Sequence, residues 1–269
     1  MTTDFDRHER QMWTGRASAY ETSFAKLCAY PASALLDAAG VSSGTRLLDV
    51  GTGTGTVAAH ADRRGAIVTA VDAEPSMVDA ARQNVPAADV RHGTLPDLPF
   101  PDDSFDAAVT NFVVNHVGDP RAAVAELRRV VRPGGRIALT IWPQPPSPLH
   151  ALWDQILDAA HARPTVPMAK ISGELNFVRT ESGLVDLLRS AGVTDVVGAT
   201  IAWVHRVEPE EWWSGPAGGV ATIGLIVTSH TPDMIQRIKG EYDRVSAAYL
   251  GTDGLLGLPT HAHLAAGRA

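Results

Sequence analysis

Residues 47–56, LLDVGTGTGT, constrain this chain more than any other stretch. Two leucines and a valine surround Asp49, and such an apolar run predicts a strand buried on both faces, as a parallel sheet requires. Gly51, Gly53 and Gly55 follow at two-residue spacing and give a tight turn without side chains, against which a ligand can lie. The apolar, alanine-rich residues 57–61 predict a helix, whose first backbone N–H groups are free to face the same spot.

Upstream, Trp13, Ala17, Tyr20 and Phe24 recur at three- and four-residue spacing, which places them on one face of a leading helix. A second helix is expected over residues 31–39, stopping at Gly40. Most of the stripe reads as packing, but a leading helix can lie across the mouth of a site, so Trp13 and Tyr20 stay candidates. Downstream, AIVTAVD predicts a second strand ending at Asp72, about 20 residues past the first glycine. From there a carboxylate can accept hydrogen bonds from both hydroxyls of a ribose. The helix PSMVDAARQN has Pro75 in its first turn. ADVRHG and DAAVTNFVV read as strands, DPRAAVAELRRVV as a helix, Arg132-Pro133-Gly134-Gly135 as a turn and RIALTIW as a fifth strand. Alternation of strand and helix with short joins is the pattern of a parallel, doubly wound α/β sheet.

Beyond Trp142 the style changes. Pro143, Pro145, Pro146 and Pro148 open a segment with one helix, LHALWDQILDAAHA, and a loop to about Thr180. ESGLVDLLRSAG predicts a helix and DVVGATIAWVHR a sixth strand. Residues 208–250 read as a mainly helical insertion. The tail supplies a last strand, which joins the sixth as an antiparallel neighbour and closes the sheet edge.

The 269 residues, 45% hydrophobic, suffice for one substantial core. A net charge of −7 argues against a dedicated nucleic-acid binder. The single cysteine, Cys28, excludes an internal disulfide, fits a reducing compartment and reads as an inert helix residue. The polar start MTTDFDRHERQ predicts no signal peptide, and no apolar run approaches the roughly 20 residues of a membrane helix. A cytoplasmic protein without membrane contact is the expectation.

On its own the glycine loop fits a dinucleotide-binding turn as well as an S-adenosylmethionine (SAM) turn. Four stretches in order, LLDVGTGTG, AVDAEPSMVDAA, LPFPDDSFDAAVTNFVVNHVGDP and LRRVVRPGGRIALTIW, resemble the class I SAM-dependent methyltransferases, in particular their type 11 small-molecule branch. LPFPDDSFD and RPGG are not expected of nicotinamide-dependent dehydrogenases. The resemblance covers residues 13–142 well and is loose beyond. It implies a doubly wound, mostly parallel seven-stranded sheet of Rossmann-like methyltransferase type in one domain, residues 1–269. Within it, residues 1–40 are expected as cap helices and 41–142 as the SAM-binding core, while insertions 143–180 and 207–253, which follow strands running toward the edge of the glycine loop, are expected to form a lid.

The resemblance also implies site residues. The methionine end of SAM should lie on the backbone of Gly51, Thr52 and Gly53, near Asp49. Asp72 should hold the ribose, with Ala73 and Met77 against the adenine. Thr94 and Leu95 are adenine neighbours, Thr94 standing where relatives often carry an acid. Asn111 points toward the cofactor in relatives, and Trp13 and Tyr20 match an entry helix whose tyrosine covers the methionine end. Each also has a structural reading: Asp49 as an acid capping nearby N–H groups, Asp72 as a helix cap, Thr94 as a solvated loop residue.

Methyl transfer from a sulfonium gains much of its acceleration from alignment, and needs a base only if the acceptor must lose a proton. His116 and His205 are the candidates. His261 and His263 alternate on a strand without matching carboxylates, so no metal is expected. No Asn/Asp-Pro-Pro-aromatic motif of nucleic-acid amino-methylating enzymes occurs. Trp142, Trp153, Trp203, Trp212 and Trp213 lie in or beside the insertions, which suggests an apolar pocket, with Trp142, Trp203, His205, Trp212 and Trp213 as candidate lining. The function expected is methyl transfer to O, N or C of a small lipophilic or aromatic metabolite, SAM becoming S-adenosylhomocysteine (SAH), by a monomer or homodimer. The alternatives are a dinucleotide oxidoreductase and a SAM-binding protein without turnover.

Overall fold

A computed structural model describes residues 3–269; Met1 and Thr2, part of the expected cap, lie outside the described residues. The leading segment forms α1 (Asp4–Trp13), α2 (Ala17–Thr22), α3 (Phe24–Ala29) and α4 (Ala32–Ala38). The single leading helix expected from the Trp13–Phe24 spacing is therefore corrected. Gly15 at φ +70° breaks it, and Ser23, fully buried, separates α2 from α3. Three of the four stripe residues, Trp13, Tyr20 and Phe24, still converge on one cavity.

The core then alternates β1 (Arg46–Val50), α5 (Thr56–Asp62), β2 (Ile67–Asp72), α6 (Pro75–Asn84), β3 (Asp89–His92), β4 (Phe105–Asn111), α7 (Pro120–Val130) and β5 (Val131–Ile141). The remainder is α8 (Pro148–Ala159), α9 (Glu181–Ser190), β6 (Thr194–Val207), α10 (Pro209–Ala217), α11 (Ala221–Thr228), α12 (Pro232–Ser246) and β7 (Leu256–Arg268). The seven strands run in the order β3-β2-β1-β4-β5-β7-β6, and β7 alone runs opposite to the other six. β7 enters between β5 and β6, so the free edge belongs to β6 and not to the tail. The expected RPGG turn survives as a loop-out within β5: Val131 pairs with Phe105 but Arg136 with Ala107, leaving the residues between them unpaired with β4.

Alternating side chains of the central strands feed separate cores. Leu47 packs with α4, α5 and α6 through Leu35, Val57 and Ala81, whereas Leu48 packs with α7 and α9 through Leu127 and Leu188. The doubly wound sheet is thus sandwiched between helical layers. A further cluster joins α8, α10, α11 and α12 to β7 through Trp153, Trp212, Ile226, Tyr242 and Leu258. Both helical segments leave the C-terminal ends of mutually parallel strands, β5 and β6, the same side from which the glycine loop leaves β1.

Candidate active site

At those strand ends, where ligands of open α/β sheets bind, lies a cavity of about 470 Å³. Pockets of roughly 300–1,000 Å³ are usual for small-molecule ligands. Part of its wall comes from the sheet: Val50, Gly51, Asp72, Ala73, Thr94 and Leu95, with Met77 of α6. The leading helices contribute Glu9, Trp13, Tyr20 and Phe24, and the later segments Trp142, His150, Trp153, Arg179 and Ile223.

Asp72 is held rigidly. Its Oδ2 accepts the Gly53 N–H at 2.8 Å and its Oδ1 the Glu74 N–H at 3.0 Å. Burial pushes its pKa up, against the pull of those N–H groups. Gly51 and Thr52 donate their N–H groups to the Val71 carbonyl, at 2.8 and 3.0 Å. The backbone expected to carry the methionine end of SAM therefore has its three amides engaged within the protein. All three are turned onto β2 and its terminal acid; Gly51 lines the cavity, while Thr52 and Gly53 do not.

Asp49 lies beneath the loop, 1% exposed. The Thr52 hydroxyl donates to its Oδ2 at 2.7 Å, and its Oδ1 has no partner. Burial pushes this carboxyl up to about 7, the Thr52 hydroxyl opposing. A raised carboxyl pKa means that the native state holds a proton the unfolded chain has released, so this group's contribution is present at acid pH. It is lost as pH rises from the unfolded value near 3.8 through about 7. Relative to Asp49→Asn, the wild type should lose on the order of a few kcal/mol between pH 4 and pH 8. Thermal unfolding of both proteins across that range checks this; parallel pH profiles would refute it.

Tyr20 covers the loop, its ring atoms starting 3.4 Å from where a Gly53 Cβ would sit, and its hydroxyl is pushed up in pKa by burial. Trp13 meets Tyr20 and His116 edge-on at 5.9 and 5.8 Å between ring centroids. His116 lines the cavity, and its Nδ1 lies 2.8 Å from Glu9 Oε2. Asn111 lines it too, but its amide is engaged: Nδ2 donates to the Cys28 carbonyl and Oδ1 accepts from Thr140.

The aromatic candidates divide. Trp142 lines the cavity and stacks on Phe112 at 3.8 Å. Phe112 is held at φ +61°, a strained conformation for a bulky residue. Trp203, His205, Trp212 and Trp213 do not line it, which corrects their expected role. Trp212 is fully buried among the insertion helices, with Phe24 at 4.7 Å. Trp213 packs near Tyr242 in the same cluster. Trp203 stacks on Tyr30. His205 is 1% exposed with both ring nitrogens unpartnered, and burial pulls its pKa down to about 4, so it is a neutral core residue.

The sequence reading missed Glu9, Phe112, His150 and Arg179. His150 lines the cavity beside Trp142; its Nδ1 is tied at 2.8 Å to Ser147 Oγ, itself 2.9 Å from Thr260 Oγ1. Burial pulls this imidazole down to about 4. His150, Trp153, Asp154 and Leu157, all lining the cavity, share one face of α8 at spacings of three and four, a signal the sequence did carry. His261 and His263 face one another at 5.6 Å, and no metal-ligating trio gathers among the described residues. No helix there is long and apolar enough to cross a membrane.

A methyltransferase domain profile matches residues 48–139. The chain is 42% identical over 111 residues to a demethylmenaquinone methyltransferase of Clavibacter sepedonicus, covering 40% of this chain and 45% of that one. It is 36% identical over 192 residues to the demethylmenaquinone methyltransferase of Paenarthrobacter aurescens, covering 66% and 75%. The chain spans about half the length of several of the curated relatives it matches. A solved SAM-dependent methyltransferase of Thermotoga maritima, described as a possible histamine N-methyltransferase, shares the fold at TM-score 0.56 and 17% identity. That likeness covers 97% of this chain and 99% of the other. These likenesses remove the oxidoreductase alternative: with LPFPDDSFD and RPGG inside the matched region, the chain belongs to the class I SAM-dependent methyltransferases.

Proposed function

We propose that this enzyme methylates a small, planar or lipophilic acceptor bound against the Trp142–Phe112 wall. The observation that carries this is the continuity of the cavity: Asp72 and Gly51 lie at one part of it, Trp142, Trp153 and Ile223 at another. Relatives named demethylmenaquinone methyltransferases act on an aromatic, lipophilic acceptor by name, which fits such a wall. The small cavity and acidic balance favour a small-molecule acceptor over nucleic acid. The buried Cys28 fits a cytoplasmic setting.

The residues fit SAM. Asp72 presents a fixed carboxylate at the cavity for the ribose, with Ala73, Met77, Thr94 and Leu95 beside it for the adenine. The Tyr20 ring over the loop suits the methionine end, with Asp49 buried behind the loop and out of the cavity's lining. When bound, SAM supplies an electrophilic methyl group on a sulfonium leaving group. The protein's part is alignment of acceptor and methyl carbon. Trp142 and Phe112 fix an aromatic plane. His116, oriented by Glu9, is the candidate base where the acceptor must lose a proton.

Calorimetry with SAH, followed by a methyl-release screen over hydroxylated and amino aromatic acceptors, tests the reading. For an acceptor so found, Trp142→Ala should raise KM by about tenfold, the loss of roughly 1.4 kcal/mol of aromatic contact. The Kd for SAH should stay within about twofold. An unchanged KM for every acceptor would end the proposal.

A further inference from the structure

The cavity carries a cation without a counter-ion. Arg179, at the end of the loop before α9, lines it and forms no ion pair or side-chain hydrogen bond among the described residues. Arg10 of α1 lines it as well, with its guanidinium equally unpaired among the described residues.

The acids of the same wall are engaged. Asp6 accepts the Thr3 hydroxyl and the N–H groups of Thr3 and Gly118. Glu9 holds His116, and Asp72 holds two backbone amides. Glu74 accepts the N–H groups of Gly15 and Met77 and the Ser76 hydroxyl. Asp154 is the one left, and it is solvent-exposed on α8.

Partial burial lowers the Arg179 pKa, with Glu9 near enough to be felt but not to pair. A partly desolvated guanidinium without a close partner gains from a ligand that supplies the anion, and its planar fork suits a carboxylate. We propose that Arg179 forms an anion subsite in the acceptor half of the cavity, so that the acceptor is an aromatic or lipophilic molecule bearing a carboxylate or similar anionic group. This rests on the acceptor reading above.

The test uses a matched pair, 2-naphthoate and its neutral isostere 2-naphthamide, titrated calorimetrically into the full chain saturated with SAH. Naphthoate should bind at least about tenfold more tightly than the amide, the usual scale for a charge-assisted contact. Arg179→Gln should reduce that preference to about twofold or less and leave SAH affinity unchanged, while Arg179→Lys should keep part of the preference. Equal binding of the two probes by the wild type, or no naphthoate binding, overturns the proposal. So does an equal loss of SAH affinity in Arg179→Gln, which would place the cofactor's own carboxylate on this arginine. If Arg179→Gln does not fold, the wild-type preference and Arg179→Lys decide. Should the wild type bind no SAH, the donor reading fails separately, and the probe pair titrated into unliganded protein still decides the subsite.

Discussion

Asp72→Ala is expected to weaken SAH binding by about two orders of magnitude and to lower thermal stability in the same step. The carboxylate has a double employment. Toward the cavity it is positioned for the ribose hydroxyls, and hydrogen bonds to a charged acceptor contribute roughly 1.5–3 kcal/mol each. Toward the protein it takes the Gly53 and Glu74 N–H groups, so it clamps the glycine loop to the start of α6. Its removal leaves both amides without a partner, at about 1–3 kcal/mol apiece where water cannot reach them. Release of a partly desolvated charge offsets some of that loss, so a fall in Tm of several degrees is the net expectation. Asp72→Asn separates the roles. It keeps one carbonyl oxygen for one amide, but turns an NH2 group toward the other and removes the charge, so stability recovers in part while affinity stays low. Calorimetry with SAH and thermal unfolding of the three proteins provide the check. A normal SAH affinity in Asp72→Ala would remove the ribose assignment, whatever happened to Tm.

The parallel core was legible because buried strands write continuous apolar runs, and Leu47 and Leu48 show why: adjacent leucines serve cores on opposite faces. Asp72 was legible from its distance to the glycines, since the end of the second strand lies beside the loop of the first. The direction of the loop amides was not. Glycine spacing reports that a tight turn forms, but the acceptors that take its N–H groups, Val71 and Asp72, belong to another strand. Tryptophan count likewise reported an aromatic cluster near the site without its orientation. Trp142 faces the cavity, whereas Trp212 turns into the helix cluster, and only the packing of α10 on α2 and α12 separates the two. Arg179 belongs to no periodic pattern, so its significance emerges only when the neighbouring acids are seen to be engaged elsewhere.

Gly51→Ala should be the most damaging single methyl in the loop, and a second substitution should relieve part of it. Gly51 sits at φ +69°, where an L side chain costs roughly 1–2 kcal/mol. A Cβ there would lie 2.4 Å from Val113 Cγ2 and 2.9 Å from its Cγ1, closer than atoms can approach. Overpacking of this kind adds about 1–3 kcal/mol, and Val113 itself lines the cavity, so its displacement carries the damage into the binding site. Gly53 has the same backbone restriction at φ +57°, but its Cβ would meet the Tyr20 ring at 3.4 Å, an ordinary contact. Gly53→Ala should therefore be the milder change, by about the overpacking difference. Trimming the obstructing residue isolates the steric part. In Gly51→Ala/Val113→Ala the two severe contacts disappear, leaving the tight 3.2 Å approach to the residue 113 Cβ and the backbone cost, so the double variant should be more stable than the sum of the single effects predicts, by about 1–2 kcal/mol. Urea unfolding of the four proteins measures that coupling, and SAH titration shows whether affinity returns with it. Strictly additive effects would mean that Val113 moves aside freely, and that the loop depends on glycine at position 51 for its backbone conformation alone.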